Sequence, residues 1–411
     1  MAKSSDHTEH SPVGSPQIGV SHLHRFGCWL RMHRRRLATS LGVLVALSFV
    51  SLVAVGWYYS NVFEDQALAV HHGPPRYDLR VSDVGNGRVT LRTTSSSDAQ
   101  GLWRTPETFG LEWQGGYGQI GQIHELHPRD VTRDFTLLEG SLPDGTPVRI
   151  DTYAFPSDPL TGLGLAYQEV AFESPLGPMA AWFVDGPTDT WAILVHGQGA
   201  NRRDMLRPLQ AVHAAGLKAL VISYRNDEGA PPERDQQNHY GETEWQDLDA
   251  AAGYAIAHGA KTLVPVGHSM GGAIVMSFLY KSHLASTVSA VVLDSPMLDF
   301  KTTIRWRAEG LAPGPLITYG MWVSGLRFGI DWGKLNYLAQ ADHLVAPILV
   351  FHGDADEKVP LVTSQELQRR RPDLVTLITW PGVGHVRSWN FDPAAYRAAV
   401  VTFLSTAAIE P

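Results

Sequence analysis

Gly267-His268-Ser269-Met270-Gly271 sets one hydroxyl among small residues, between the apolar runs "TLVPV" and "AIVMSFLY". A G-x-S-x-G pentapeptide in a strand–turn–helix setting suits one kind of chemistry. A strained turn lifts the serine hydroxyl clear of the backbone, and the glycines let strand and helix approach closely. The same residues could serve as a plain turn; the expectation here is that Ser269 is a nucleophile. A serine hydroxyl attacks poorly until a base takes its proton and a third group orients that base. Residue types for both tasks follow: His283, His343, His352 and His385, and the carboxylates Asp294, Asp354 and Asp356 near predicted strand ends.

The elements that must position these groups begin near residue 166, where strand and helix signals alternate. "YQEVAFESPLGPMAAWFV" reads as a hairpin. "WAILVHG", "KALVISY", "KTLVPVG", "AVVLDS", "PILVFHG" and "VTLITW" read as buried strands. Helices are predicted over "RDMLRPLQAVHAAG", "ETEWQDLDAAAGYAIAHG", from Met270 onward, and over "PAAYRAAVVTFLS". Such alternation implies a mostly parallel sheet covered on both faces.

In this setting the pentapeptide resembles the nucleophile elbow of the α/β-hydrolases. The resemblance covers residues 166–411 and implies the α/β-hydrolase fold: a mostly parallel central sheet, helices on both faces and a cap insert. It also implies the chain order serine, acid, histidine. His385, in "PGVGHVRSWN" between the last strand and last helix, is then the expected base. His283 sits at the far end of the elbow helix, His343 precedes a strand, and His352 ends the strand before the acid loop. "FHGDADEKVP" resembles the superfamily's acid loop, HG-x-x-D-x-x-VP, which puts the acid on Asp356 rather than Asp354 or Asp294. "LVHGQGANRRD" resembles the loop that supplies an oxyanion hole, so the backbone N–H groups of Gln198 and Met270 are the expected donors. Acting through main chain, they leave their side chains free to vary.

"SYRNDEGAP", "YGETEWQDLDAA", "LDSPMLDF" and "GHVRSWNFDP" are similar to segments of membrane-anchored actinobacterial hydrolases. The layout also resembles lysophospholipase and monoacylglycerol-lipase-like enzymes. A serine rather than a carboxylate at the elbow implies acyl transfer. The expected reaction is cleavage of a small-molecule or lipid ester, or thioester, through an acyl-serine, with no cofactor and no metal. An acyltransferase or peptidase would use the same residues. A non-catalytic binding protein on this fold would show a broken set, and here every position is filled. About 50 residues separate the strands ending near Ser295 and starting at Pro347, long for a connection within a domain. They predict a cap at about 299–346. Trp306, Leu316, Trp322, Phe328 and Trp332 are expected either to line an apolar acyl pocket or to fill helix cores.

The rest of the chain decides where that chemistry takes place. Residues 37–59 carry no charge over 23 positions, more than the roughly 20 residues a membrane-spanning helix needs. Arg31, Arg34, Arg35 and Arg36 precede this run, and Glu64 and Asp65 follow it. The positive-inside rule puts residues 1–36 in the cytoplasm and the catalytic part outside, on a single-pass anchor in the cell membrane. The rival reading, a signal peptide cut at Ala67-Leu68-Ala69, needs an unusually long apolar region. Residues 1–36 hold six Lys/Arg against two Asp/Glu, so with the chain at −8 and the span neutral, residues 60–411 carry −12. An acidic body of this kind offers no footprint for nucleic acid. His7, His10, His22, His24 and His33 are spaced too irregularly to suggest a metal site, and the lone Cys28 cannot form an intrachain disulfide. Residues 60–76 read as a linker. Residues 77–165 read as a β-rich segment of short hairpins, too short for a propeller.

Overall fold

The computed structural model describes residues 20–71, 73, 75–93 and 101–407; His7 and His10 of the tail lie outside the described residues. Helix α1 (Val20–Phe63) contains the uncharged run and is long and apolar enough, by length and composition, to cross a membrane.

Six antiparallel strands close into a barrel in the order β1-β2-β5-β4-β3-β6. They are β1 (Leu79–Gly85), β2 (Arg88–Thr93), β3 (Phe109–Trp113), β4 (Gly116–Leu126), β5 (Asp130–Glu139) and β6 (Pro147–Asp151). Alternate residues, among them Leu79, Val81, Val89, Leu91 and Val131, form its apolar core, as the two-residue period of a half-buried strand requires. Arg133, two residues beyond Val131, is buried with them. Its guanidinium donates to the carbonyls of Trp103, Glu107 and Gly121, and burial pulls its pKa down to about 10.

After the short helix α2 (Pro159–Leu163), an eight-stranded sheet runs in the order β14-β13-β12-β11-β9-β10-β8-β7. The hairpin β7 (Gln168–Ser174) and β8 (Gly177–Val184) is antiparallel and forms one edge. The remaining strands are parallel: β9 (Thr190–Val195), β10 (Lys218–Ile222), β11 (Thr262–His268), β12 (Val291–Asp294), β13 (Ile348–Gly353) and β14 (Val375–Trp380). All six residues of β13 are buried, as expected of a central strand covered on both faces. Between strands lie α3 (Leu206–Ala214), α4 (Trp245–Ala257) and α5 (Met270–Lys281). The insert after β12 holds α6 (Phe300–Ala308) and α7 (Gly314–Phe328). Helix α8 (Val362–Arg370), the short α9 (Ser388–Phe391) and α10 (Pro393–Ala407) complete the chain. This is the α/β-hydrolase fold.

Residues 60–69, expected as the start of a linker, are packed instead. Phe63 lies among Phe300, Phe328 and Trp332, with ring centroids 5.8–6.4 Å apart, and Ala67 and Leu68 are buried in the core beside the sheet. The reason is compositional: Phe63, Ala67 and Leu68 are apolar, and Phe63 meets aromatic rings of the insert.

Candidate active site

The elbow owes its shape to three glycines. A Cβ on Gly271 would come within 2.1 Å of the Val195 carbonyl oxygen, one on Gly267 within 2.7 Å of the Gly271 backbone, and one on Gly272 within 2.6 Å of Pro296. Only hydrogen fits where β11, β9 and α5 converge. Ser269 is held at φ 51°, ψ −114°, outside the regions that L-residues favour. Its N–H donates to the Asp294 carbonyl (3.0 Å), and its carbonyl accepts from the Met297 N–H (3.0 Å). Neighbouring chain therefore pins the strained residue on both sides.

His385 reaches the serine from the loop after β14. Its Nε2 lies 2.8 Å from Ser269 Oγ, and its Nδ1 lies 2.8 and 3.0 Å from the two oxygens of Asp356. Nδ1–H donating to the carboxylate leaves Nε2 free to accept the serine proton. Asp356 is buried and also accepts the N–H groups of Lys358 and Val359, each at 2.8 Å. Burial alone would raise its pKa, but hydrogen bonds from His352 and His385 prevail and hold it well below the usual carboxylate range.

The other candidates lie elsewhere. Asp354 is exposed and accepts the Gly382 N–H at 2.6 Å. Asp294 is buried and accepts the hydroxyls of Ser295 and Ser388; burial raises its pKa. His352 is a buried structural residue, bonded to Ser364 Oγ (2.8 Å) and the Val359 carbonyl (3.1 Å), and it braces the acid loop. His343 lines a separate cavity with Leu279 and Ala285, and His283 opens a short turn beyond α5.

Met270 begins α5, and Gly197 packs against the serine, where a Cβ on it would sit 3.1 Å from Ser269 Cβ. The N–H groups of Gln198 and Met270 have no partner among the described loop and cap hydrogen bonds. His196, just before them, faces Asp227 (2.8 Å) and the Gly197 carbonyl (3.0 Å). Burial opposes protonation of its ring, but the Asp227 carboxylate prevails and raises its pKa.

Several supporting residues escape the sequence reading. Val386, next to the histidine, has φ 51°, strained for a β-branched residue. Its N–H donates to Ser295 Oγ (3.1 Å), and its carbonyl accepts from Arg207 (2.6 Å). Arg207 is buried and also holds Asn390 (2.7 Å) and Asp204, whose other oxygen lies 3.0 Å from His268 Nδ1. Burial would raise the Asp204 pKa, but Arg207 and His268 hold it well below the usual carboxylate range. The barrel contributes too. Arg387 donates to Glu107 (2.9 Å), and Asn390 Nδ2 donates to the carbonyls of Thr108 and Thr152.

A cavity of about 220 Å³ opens at Ser269. Its walls include Thr152, Tyr153, Asp204, Arg207, His268 and Lys358, with no residue of the insert among them. Of the two alternatives for the insert's aromatics, an apolar acyl pocket is not what lines this cavity, and Phe300, Phe328 and Trp332 pack on Phe63. A larger cleft of about 810 Å³, reaching Arg149, Trp182 and Arg202, shares Thr152, Tyr153, Gly199 and Ala200 with it.

The sequence of residues 192–399 matches the alpha/beta hydrolase family. A monoacylglycerol lipase of Mycolicibacterium smegmatis is 24% identical over 237 residues, which cover 50% of this chain and 84% of the relative. An uncharacterised protein of Mycobacterium tuberculosis is 26% identical over 225 residues, 53% of this chain and 71% of the relative. An esterase of Pyrococcus furiosus aligns with 61% of this chain and 96% of its own at 20% identity, with a TM-score of 0.49. The matched span takes in the elbow, the acid loop, the histidine loop and every parallel strand between them, so the chain belongs to the alpha/beta hydrolase family.

Proposed function

We infer that this protein is a membrane-anchored serine hydrolase that cleaves carboxylic esters or thioesters through an acyl-serine intermediate. The observation that carries the reading is the unbroken relay from Ser269 Oγ to His385 Nε2 and from His385 Nδ1 to Asp356. The relative that is a monoacylglycerol lipase supports ester chemistry.

In the proposed reaction His385 Nε2 takes the Ser269 proton as Oγ attacks the ester carbonyl. Asp356 stabilises the imidazolium and stays ionised. Charge developing on the carbonyl oxygen is met by the N–H groups of Gln198 and Met270. As the C–O bond breaks, His385 returns its proton to the departing alkoxide, leaving an acyl-serine and an alcohol. Water, deprotonated by the same histidine, then attacks the acyl carbon and releases the acid and Ser269. The polar walls of the serine cavity favour a short or hydrophilic acyl group, because an alkyl chain there would strip polar groups of water without bonding them.

Turnover of p-nitrophenyl esters by the full chain, with and without Ser269→Ala, tests both parts of this reading. The wild type should favour acetyl over octanoyl esters and label with a fluorophosphonate at Ser269. The variant should lose on the order of 10⁴-fold or more in kcat. Labelling at another serine would overturn the mechanism, and rates that climb with chain length would overturn the substrate preference.

A further inference from the structure

Gln198 stands between Gly197 and Gly199, two residues that leave the backbone free to take many conformations. An oxyanion donor in such a loop needs a restraint. The Gly197 carbonyl accepts from the Ala200 N–H (3.2 Å), and the Tyr224 hydroxyl lies within reach of the His196 (3.1 Å) and Gly197 (3.2 Å) carbonyls, which fixes one side of the Gly197–Gln198 peptide. The Gln198 side chain fixes the other. Its Nε2 donates to the Ala67 carbonyl at 2.6 Å, and its Oε1 lies 2.8 Å from the Tyr240 hydroxyl, itself 2.8 Å from the Ala67 carbonyl. With one phenolic proton to give, Tyr240 donates either to Gln198 or to Ala67, so Gln198 is held by its own bond to Ala67 and, when Tyr240 turns to it, by a second.

The two partners are themselves held. Tyr240 is buried at φ 52°, its ring stacks on Phe300 at 4.0 Å, and its carbonyl accepts from the Tyr337 hydroxyl at 2.7 Å. A bulky residue at positive φ is strained, and strain of this kind persists where the surroundings over-determine it. Ala67 lies in the segment that follows the apolar helix. The next carbonyl, Leu68, accepts the Asn238 N–H (2.8 Å), Ala69 bridges to Gln237, and Arg327 on α7 holds Ser60 and Asn61 (2.8 Å to Asn61).

We propose that residues 60–69 are a positioning element of the active site: the Ala67 carbonyl and Tyr240 lock the Gln198 side chain, and so aim its backbone N–H at the oxyanion. The segment joining the anchor to the catalytic sheet thereby becomes a condition for turnover. This rests on the reading of Gln198 as an oxyanion donor in a Ser269 hydrolase.

The test uses the full chain in detergent micelles. Gln198→Met keeps the length of the side chain and removes both hydrogen bonds; Tyr240→Phe keeps the ring and removes the hydroxyl. Loss of a whole oxyanion donor costs about 10²–10³ in kcat, so a misaimed one should cost about tenfold, with KM within about twofold. Affinity for a trifluoromethyl ketone, whose serine adduct is an oxyanion, should fall in step with kcat, a change that general loosening of the fold would not produce selectively. Ala67→Trp, which has no room at a buried site, should cost a similar factor. Combined with Gln198→Met it should add little, since both act through one contact. Unchanged kcat and ketone affinity in Gln198→Met would overturn the proposal, and so would fully additive losses in the double variant. If Ser269→Ala itself retains turnover, the failure belongs to the mechanism beneath it.

Discussion

Asp354 and Asp356 stand two residues apart after the same strand, yet they meet different partners. Asp356 accepts from His385 and from two backbone N–H groups, whereas Asp354 accepts the Gly382 N–H. Only a carboxylate at the imidazole can fix its tautomer and stabilise its protonated form. Asp356→Asn should therefore lower kcat by about 10⁴, and Asp354→Asn by less than about threefold, measured on a soluble ester with folding checked by circular dichroism. A greater loss from the Asp354 substitution would reassign the acid. At this scale the sequence was legible where a motif tied residue type to place: the elbow, the acid loop and the histidine loop bring Ser269 and Asp356 each within hydrogen-bond distance of His385. It was opaque at Arg207 and Asp204. Nothing in the predicted helix "RDMLRPLQAVHAAG" marks them out, and only the fold turns them inward onto Val386, Asn390 and His268. Gln198 shows a second limit: a backbone role says nothing of a side chain anchored by a residue 131 positions away.

Each element holds one part of the site where another element requires it. Helix α5 meets β11 and β9 so closely that the elbow admits no side chain at Gly271. Gly271→Ala would drive a methyl onto the carbonyl of Val195, and overpacking of that kind costs about 1–3 kcal/mol. The variant should unfold at lower denaturant concentration and lose most of its turnover, because the shift falls on the strand that leads into the oxyanion loop. An unchanged unfolding midpoint would mean that the elbow backbone yields freely. Parallel strands were easy to read, since runs such as "PILVFHG" are apolar throughout. The barrel was legible as short strands but not as a closed barrel, because closure depends on which strands pair, as β1 does with β6. Nor did the sequence show that the barrel braces the histidine loop through Glu107, Thr108 and Thr152. The insert's aromatics fitted an acyl pocket or a packed core, and in the fold Phe300, Phe328 and Trp332 pack on Phe63 while Trp322 stays exposed.

Across the whole molecule, charge and the exit segment bear on the same question of topology. Basic residues precede the uncharged run, and an acidic body follows it. On the anchored reading proposed above, the positive-inside rule would set the N-terminus in the cytoplasm and the catalytic part outside. The rival reading cuts the chain at Ala67-Leu68-Ala69, but in the folded protein Ala67 and Leu68 are 2% and 3% exposed. Removing them would take two buried residues out of the core beside the sheet and take from Gln198 and Tyr240 the Ala67 carbonyl they both reach. On the proposed reading, a chain processed there would keep its relay yet lose the Ala67 contact to Gln198, and the proposal is therefore an anchor that stays on. Protease added to intact, wall-stripped cells should digest the catalytic part and leave a short, protected N-terminal fragment. Protection of the whole chain until lysis would reverse the topology. A mature N-terminus at Val70 would show that the anchor is removed, and would require the Gln198 loop to hold its shape without Ala67.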